Sequence, residues 1–190
     1  ASRAGALDIG VTAGAAGLNL AQMTTLGTLD VLFLLGADEV KVPDGTFVVY
    51  IGAHGDRGAH RADVILPGAA YTEKSGIFVN TEGRVQIASR AAFPPGEARE
   101  DWAIVRALSD VMGKKLPYDS LQALRQALSK AVPHLMRIDQ IEAGSANDIK
   151  ALAGKGGTLE KMPFKAIGDF YLTNPIARAS CIMANLSAMH

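Results

Sequence analysis

The stretch from Ala62 to Gln86 constrains this chain more than any other, because a strand, a sharp stop, a polar connector and a hairpin follow one another within it. Val64-Ile65-Leu66 is a short apolar run closed by Pro67-Gly68, the pattern of a buried strand that ends at a turn. Pro67 lacks a backbone N–H and has a fixed φ, so a paired ladder is expected to stop there. Gly76 then opens a second extended run, Ile77-Phe78-Val79. Glu82-Gly83 is a turn candidate in which Gly83 is free to adopt positive φ, and Arg84-Val85-Gln86-Ile87 alternates as a returning strand should. A folded hairpin is expected to gather Glu73, Lys74, Asn80, Glu82 and Arg84 into one polar network that fixes loops and pins register. No set of these residues does chemistry on its own.

Upstream, two further runs have the same character. Leu29-Asp30-Val31-Leu32-Phe33-Leu34-Leu35 is apolar nearly throughout and ends in Gly36-Ala37-Asp38, which reads as a central parallel strand covered on both faces. Phe47-Val48-Val49-Tyr50-Ile51 is a second strand, followed by the loop 52–61. Three short strands separated by Gly-rich or short helical connectors imply an α/β fold with a parallel sheet. The helices that should alternate with the first strands are poorly represented, which suggests that preceding parts of a domain lie outside this sequence. Open α/β sheets bind ligands at strand carboxyl ends, so the 52–61 loop merits attention. His54 and His60 could take a metal or anion, and Arg57 or Arg61 a carboxylate or phosphate. Their spacing matches no strong metal pattern, and a solvated loop or one contacting further protein is the preferred reading.

Elsewhere the signals are weaker. Gly14-Ala15-Ala16-Gly17 resembles a phosphate-cradling loop in composition, but no strong strand precedes it, so a connector is expected. Leu20 to Leu26 reads as a short helix. Phe93-Pro94-Pro95-Gly96 marks a boundary. Residues 97–112 then have helical spacing through Trp102, Val105, Leu108 and Met112, with Trp102 as a core anchor. Asp119 or Ser120 caps a second helix through Leu121, Leu124, Leu128 and Val132, stopped by Pro133. Residues 142–163 are polar and Gly-rich, and Pro175 stands near the start of a last helix suited to docking. The chain therefore divides into an α/β part (1–92), a helical extension (93–134), a linker (135–166) and a C-terminal helical segment (167–190).

Composition excludes several classes of function. Apolar residues make up 48% of the 190 residues, enough for a real core. Lys plus Arg number 19 and Asp plus Glu number 19, and this zero net charge disfavours nucleic acid as a partner. Cys181 is the only cysteine, so the chain cannot form an intrachain disulfide, an iron–sulfur site or a Cys-rich zinc site. Its helical surroundings predict a small buried hydrophobe, and a lone thiol fits a reducing compartment. No apolar run approaches the ~20 residues of a membrane helix. The chain begins with Ala1 and no signal-peptide layout, as a cut into a longer chain would. Asn185-Leu186-Ser187 matches a glycosylation acceptor, which without a secretory signal is read as chance.

The motif Ala62-Asp63-Val64-Ile65-Leu66-Pro67 through Asn80-Thr81-Glu82-Gly83-Arg84-Val85-Gln86 resembles the signature of the molybdopterin oxidoreductase superfamily, which includes formate dehydrogenases. Its closer form, with Gly68-Ala69-Ala70-Tyr71-Thr72-Glu73-Lys74-Ser75, looks like that of the largest iron–sulfur subunits of respiratory complex I, NADH:quinone oxidoreductase. Pro95-Gly96-Glu97-Ala98-Arg99-Glu100-Asp101-Trp102, Leu116-Pro117-Tyr118-Asp119 and Asp169-Phe170-Tyr171-Leu172-Thr173-Asn174-Pro175-Ile176-Ala177-Arg178-Ala179-Ser180 continue the likeness, which covers most of the chain. It is specific over 62–120 and weaker over 135–165.

The resemblance implies part of a molybdopterin-oxidoreductase-like α/β domain with a parallel sheet, a β-hairpin and a helical C-terminal extension. It also implies a subunit that relays electrons from NADH and FMN through iron–sulfur clusters toward quinone. Those clusters would lie in the parent's N-terminal region, with no catalytic, cofactor-binding or metal-ligating residue in this stretch. The expected partners are other subunits of the peripheral arm, with no direct membrane insertion. The expected location is the cytoplasmic face of a bacterial inner membrane or the mitochondrial matrix side. On this reading Asp63, Pro67, Glu73, Lys74, Asn80, Glu82, Gly83 and Arg84 are a structural motif. Two alternatives stay open: a fragment of an active molybdopterin-dependent enzyme such as formate dehydrogenase, and an isolated nucleotide-binding module.

Overall fold

The computed structural model describes residues 2–15, 17–154, 156–158 and 166–190. The chain falls into two compact units, Ala1–Asp139 and Gln140–His190.

In the first unit, strands β1 (Val31–Leu35), β2 (Phe47–Gly52) and β3 (Val64–Pro67) form a parallel sheet in the order β1-β2-β3. Val31 pairs with Phe47 and Leu35 with Ile51, while Val49 pairs with Val64 and Gly52 with Pro67. One face of the sheet builds the core, with Leu34, Val48 and Tyr50 buried together with Val42 and flanked by Leu32, Ala37, Val40, Ala59 and Ala62. The run at 29–35, expected as a central strand covered on both faces, pairs with β2 alone among the described residues. The 47–51 run holds the centre, with Val48 fully buried. Val31, Phe33 and Leu35 share the opposite face and remain about half exposed, Phe33 at 46%. An apolar run reports that a strand is hydrophobic; its place in the sheet depends on which neighbours pair with it.

Helix α1 (Ser2–Asp8) opens the chain, and α2 (Leu20–Met23) is one turn held by a capping box between Asn19 and Gln22. The Gly14–Gly17 loop thus follows a helix and not a strand, with Ala16 outside the described residues. The connection from β2 to β3 contains the short helix α3 (Arg57–Arg61). Asp38, 2% exposed, anchors it: its Oδ1 accepts the amides of Asp56 at 2.9 Å and Gly58 at 3.0 Å. N–H groups at a helix start have no intrahelical acceptor and need another when buried. A Cβ at Gly58 would stand 3.0 Å from the Asp38 Cα, so the close approach requires glycine.

Strands β4 (Gly76–Val79) and β5 (Val85–Ala88) form the expected antiparallel hairpin, Gly76 opposite Ala88 and Val79 opposite Val85. Its inner residues Val79 and Val85 join Leu135 in a second core cluster, with Ala4 of α1, Ile77, Leu128, Val132 and Ile138 around it. Helices α4 (Asp101–Val111) and α5 (Leu121–Ala131) follow, and Pro133–Met136 is a 3-10 turn. Ser120 caps α5 by accepting the Ala123 amide at 3.1 Å, as its sequence suggests. Helix α4 starts at Asp101, later than the pattern from 97 implied, with Val105 exposed on it and Met112 exposed at its C-cap. Residues 97–99 are instead engaged elsewhere, Arg99 pairing with the end of β3.

The second unit contains α6 (Ala146–Leu152), α7 (Pro175–Arg178) and α8 (Cys181–Ala188). The 135–166 stretch read as linker includes α6, whose start is fixed by Ser145 accepting the Asp148 amide. The linker positions 155 and 159–165 lie outside the described residues. Asn174 and Ser180 cap α7 and α8, and Asp169 accepts the Tyr171 and Leu172 amides and the Ser187 hydroxyl. Cys181, expected as a buried hydrophobe, is exposed, because it occupies the first position of α8, just past the Ser180 cap.

Removing the Asp38 carboxylate leaves two amides without their acceptor. Asp38→Ala should lower unfolding stability by roughly 1–3 kcal/mol for each amide left buried. Urea denaturation followed by Trp102 fluorescence measures it, and an unchanged midpoint would show that the α3 start is held by other groups.

Candidate functional site

The residues of the 62–86 motif make backbone-fixing contacts at four places. Asp63 Oδ2 accepts the Val48 amide at 2.7 Å, supplying the acceptor where the β2 ladder begins. Arg61 lies 3.6 Å from the same carboxylate and also donates to the Pro43 and Thr46 carbonyls at 3.1 and 2.9 Å. The side chain offered by the sequence as an anion ligand is therefore spent on the fold.

Pro67 is itself the last paired residue of β3, opposite Gly52. As an edge-strand residue it needs no N–H toward β2, and Gly68 supplies the next bond, its amide donating to the Gly52 carbonyl at 3.0 Å. On the outer edge the Pro67 carbonyl accepts the Arg99 amide at 3.1 Å, and the Ala69 amide donates to the Arg99 carbonyl at 2.8 Å. Glu73 folds back to accept the Ala70 amide at 3.0 Å. Lys74 Nζ meets Asp101 Oδ2 at 2.5 Å, tying the connector to the first turn of α4.

At the other end of the hairpin, Asn80 Oδ1 accepts the amides of Glu82 at 3.0 Å and Arg84 at 2.9 Å, while its Nδ2 donates to Glu82 Oε2 at 3.4 Å. Gly83 has φ +84, the left-handed conformation the turn requires. Arg84 Nη1 donates to the Asp139 carbonyl at 3.1 Å, and the Asp139 amide donates to the Val85 carbonyl at 2.8 Å. The single network expected of Glu73, Lys74, Asn80, Glu82 and Arg84 is thus two clusters, one before β4 and one in the turn after it. The extended length of β4 separates them, and each uses a partner from later in the chain, Asp101 or Asp139.

The carboxyl ends of the strands are where a ligand would be expected. The Tyr50 ring lies beside the end of β2: a Cβ at Gly52 would lie 2.9 Å from it and one at Gly55 2.7 Å from its oxygen, whereas a Cβ at Gly36, after β1, would meet nothing within 4 Å. The Tyr50 hydroxyl donates to the His54 carbonyl at 2.5 Å. Burial first, then the nearby Asp38 and Asp56 carboxylates, push its pKa upward, which keeps the phenol neutral and donating. At the end of β3, a Cβ on Gly68 would stand 2.9 Å from Asp101. His54, Arg57 and His60 are exposed, and the described residues hold no group of three or more His, Cys, Asp or Glu suited to a metal ion. Sequence reasoning does not single out Asp38, Arg99, Asp101 or Asp139. Only Asp38, shortly after a strand and Gly36, carries a local signal.

Residues 1–111 match the family model for molybdopterin oxidoreductase. The chain belongs to the molybdopterin oxidoreductase family. Residues 138–186 match a second model, for the C-terminal region of an NADH-ubiquinone oxidoreductase subunit. The chain is 47% identical over 195 residues to the mitochondrial NADH-ubiquinone oxidoreductase 78 kDa subunit of Candida albicans, covering 97% of this chain and 26% of that protein. It is 47% identical over 162 residues to the 75 kDa subunit of Reclinomonas americana, covering 84% and 23%. The 78 kDa subunit of Neurospora crassa is 44% identical over 196 residues, covering 99% and 26%. The chain therefore spans about a quarter of the length of the curated relatives it matches. The resemblance read from motifs between Ala62 and Ser180 holds over nearly the whole chain.

The family name implies a pterin. At the strand ends Gly52 lies against the Tyr50 ring and Gly68 against Asp101, a Cβ at Gly36 would meet nothing within 4 Å, and the one thiol, Cys181, is exposed in the second unit.

Gly83→Val places a β-branched residue at positive φ and should cost about 1–3 kcal/mol, read as a lowered Tm. Gly83→Asn, which tolerates that conformation, should lose far less. Asp119 offers a pH test. The hydrogen bond from Arg106 first, then the Lys115 charge, hold its carboxyl below the usual range. A depressed folded pKa stabilises above the unfolded value, and that contribution is lost as pH falls through the folded one. Arg106→Leu should move Asp119 back up, as followed by carboxyl NMR titration.

Proposed function

We propose that this chain is a non-catalytic scaffold region of the complex I subunit that relays electrons from NADH, through FMN and iron–sulfur clusters, to quinone. The observation that carries this reading is that the charged and polar side chains of the 62–86 motif are spent on backbone groups and ion pairs within the chain itself. The relatives, named as NADH-ubiquinone oxidoreductase subunits, support the assignment to that complex.

On this reading the chain itself holds no cofactor, and the iron–sulfur clusters belong to the N-terminal part of the parent subunit. Its partners are other subunits of the peripheral arm. Its place is the mitochondrial matrix side, or the cytoplasmic face of the inner membrane in a bacterium. No helix among the described residues is long and apolar enough to cross a membrane, which accords with a peripheral position.

The test uses the full-length subunit in its assembled complex. Iron without stoichiometric molybdenum is expected in metal analysis. Lys74→Ala and Gly83→Val should lower the amount of assembled complex in step with the subunit's Tm, leaving NADH:quinone turnover per assembled complex unchanged. Stoichiometric molybdenum would instead favour an active pterin enzyme, the reading that the match over residues 1–111 keeps as the alternative. Normal assembly with lost turnover would also overturn the scaffold role.

A further inference from the structure

Asp44-Gly45 is the one Asp-Gly pair in the sequence, and no Asn-Gly pair is present. The two residues form an exposed turn between β1 and β2, flanked by Pro43 and Thr46. Gly45 has φ +89, and a Cβ there would meet nothing within 4 Å. The turn therefore uses glycine for its backbone conformation and not for a close approach.

Both flanks of the turn are held. Arg61 Nη2 donates to the Pro43 carbonyl at 3.1 Å and to the Thr46 carbonyl at 2.9 Å. Thr46 is buried, its Oγ1 donating to the Leu29 carbonyl at 3.1 Å, and Val42 on the other side belongs to the core. The tip is different. Neither the Asp44 carboxylate nor the Gly45 amide has a hydrogen bond or ion pair among the described residues. Asp38 and Asp63, by contrast, are committed to backbone amides.

A side-chain carboxyl and the amide nitrogen of the next residue are one ring closure apart. Because they belong to adjacent residues, the reaction needs no encounter, and glycine adds no side chain to hinder the nitrogen. We propose that Asp44-Gly45 is a site of spontaneous isoaspartate formation in the folded protein. The Gly45 nitrogen attacks Cγ of the Asp44 carboxylic acid. An N–C bond forms, and the acid's hydroxyl leaves with the amide proton as water, giving a cyclic succinimide. A water then adds to either ring carbonyl and breaks its bond to nitrogen. Opening at the side-chain carbonyl restores aspartate. Opening at the main-chain carbonyl leaves Cβ and Cγ in the backbone and frees the α-carboxylate. Water is the only co-reactant, and the mass is unchanged.

The product's main chain is longer by one carbon between the two carbonyls that Arg61 grips. Arg61 then loses one of them, and the entry to β2 loosens. The inference depends on this turn alone and is independent of the scaffold role.

The test incubates the full-length subunit in its assembled complex for several weeks at physiological temperature and neutral pH. Trypsin then releases the peptide Val42–Arg57. A second peak of the same mass should grow with time and accept a methyl group from S-adenosylmethionine through an isoaspartyl methyltransferase. Electron-transfer fragmentation should place the rearrangement at residue 44. Asp44→Glu, which would have to close a larger ring, should abolish the peak. Asp44→Asn, which closes the same ring with loss of ammonia, should raise it. Amide exchange at Phe47 and Val48 should quicken in the modified fraction. A peak present in full at the start, one that forms only after denaturation, or one that persists in Asp44→Glu overturns the proposal, as does its absence after incubation. Unaltered exchange at Phe47 and Val48 overturns the loosening of β2.

Discussion

The first unit depends on the burial of β2. Val48, Tyr50 and Ile51 are its most completely buried large side chains apart from Asp38, and covering each apolar side chain contributes about 1.5–3 kcal/mol. A buried strand is stable only if its amides and carbonyls are satisfied along both edges. The ladders to β1 and β3 do this over most of its length, and Asp63 completes it by accepting the Val48 amide. Arg61 then sits beside that carboxylate and binds two carbonyls from the loop before β2. Charged side chains here serve as substitutes for missing backbone partners.

The same principle links the hairpin to the rest of the unit. Its two ends are held by residues distant in sequence, Lys74 by Asp101 and Arg84 by the Asp139 backbone. Between them the apolar inner face closes on Leu135, and Leu128 of α5 packs beside it. A motif that looks local in sequence is therefore locked at each end by residues that follow it in the chain.

Much of this is legible in the residues. The apolar runs at 31–35, 47–51 and 64–66, each ending near a glycine, form the three parallel strands. The Gly83 turn and the Ser120 cap behave as their side chains dictate, because turns and caps are settled by interactions a few residues apart. What stays hidden is relational. Nothing within Val31–Leu35 says that among the described residues it pairs with β2 alone, and nothing within Asn80–Arg84 says that Asp139 completes it. The exposure of Cys181 reflects its place at the first position of a capped helix, where an apolar neighbourhood in sequence does not become one in space.

Tyr50 has a consequence for what this sheet can become. Its ring belongs to the buried core with Leu34, Val42 and Val48, and the glycines at 52 and 55 rest against it. Trimming that ring to open the strand ends would remove an aromatic core residue, a change that typically costs about 3–5 kcal/mol. The ring that lies beside the carboxyl end of β2 is thus part of what holds the sheet, so widening that spot for a ligand would be opposed by the core itself.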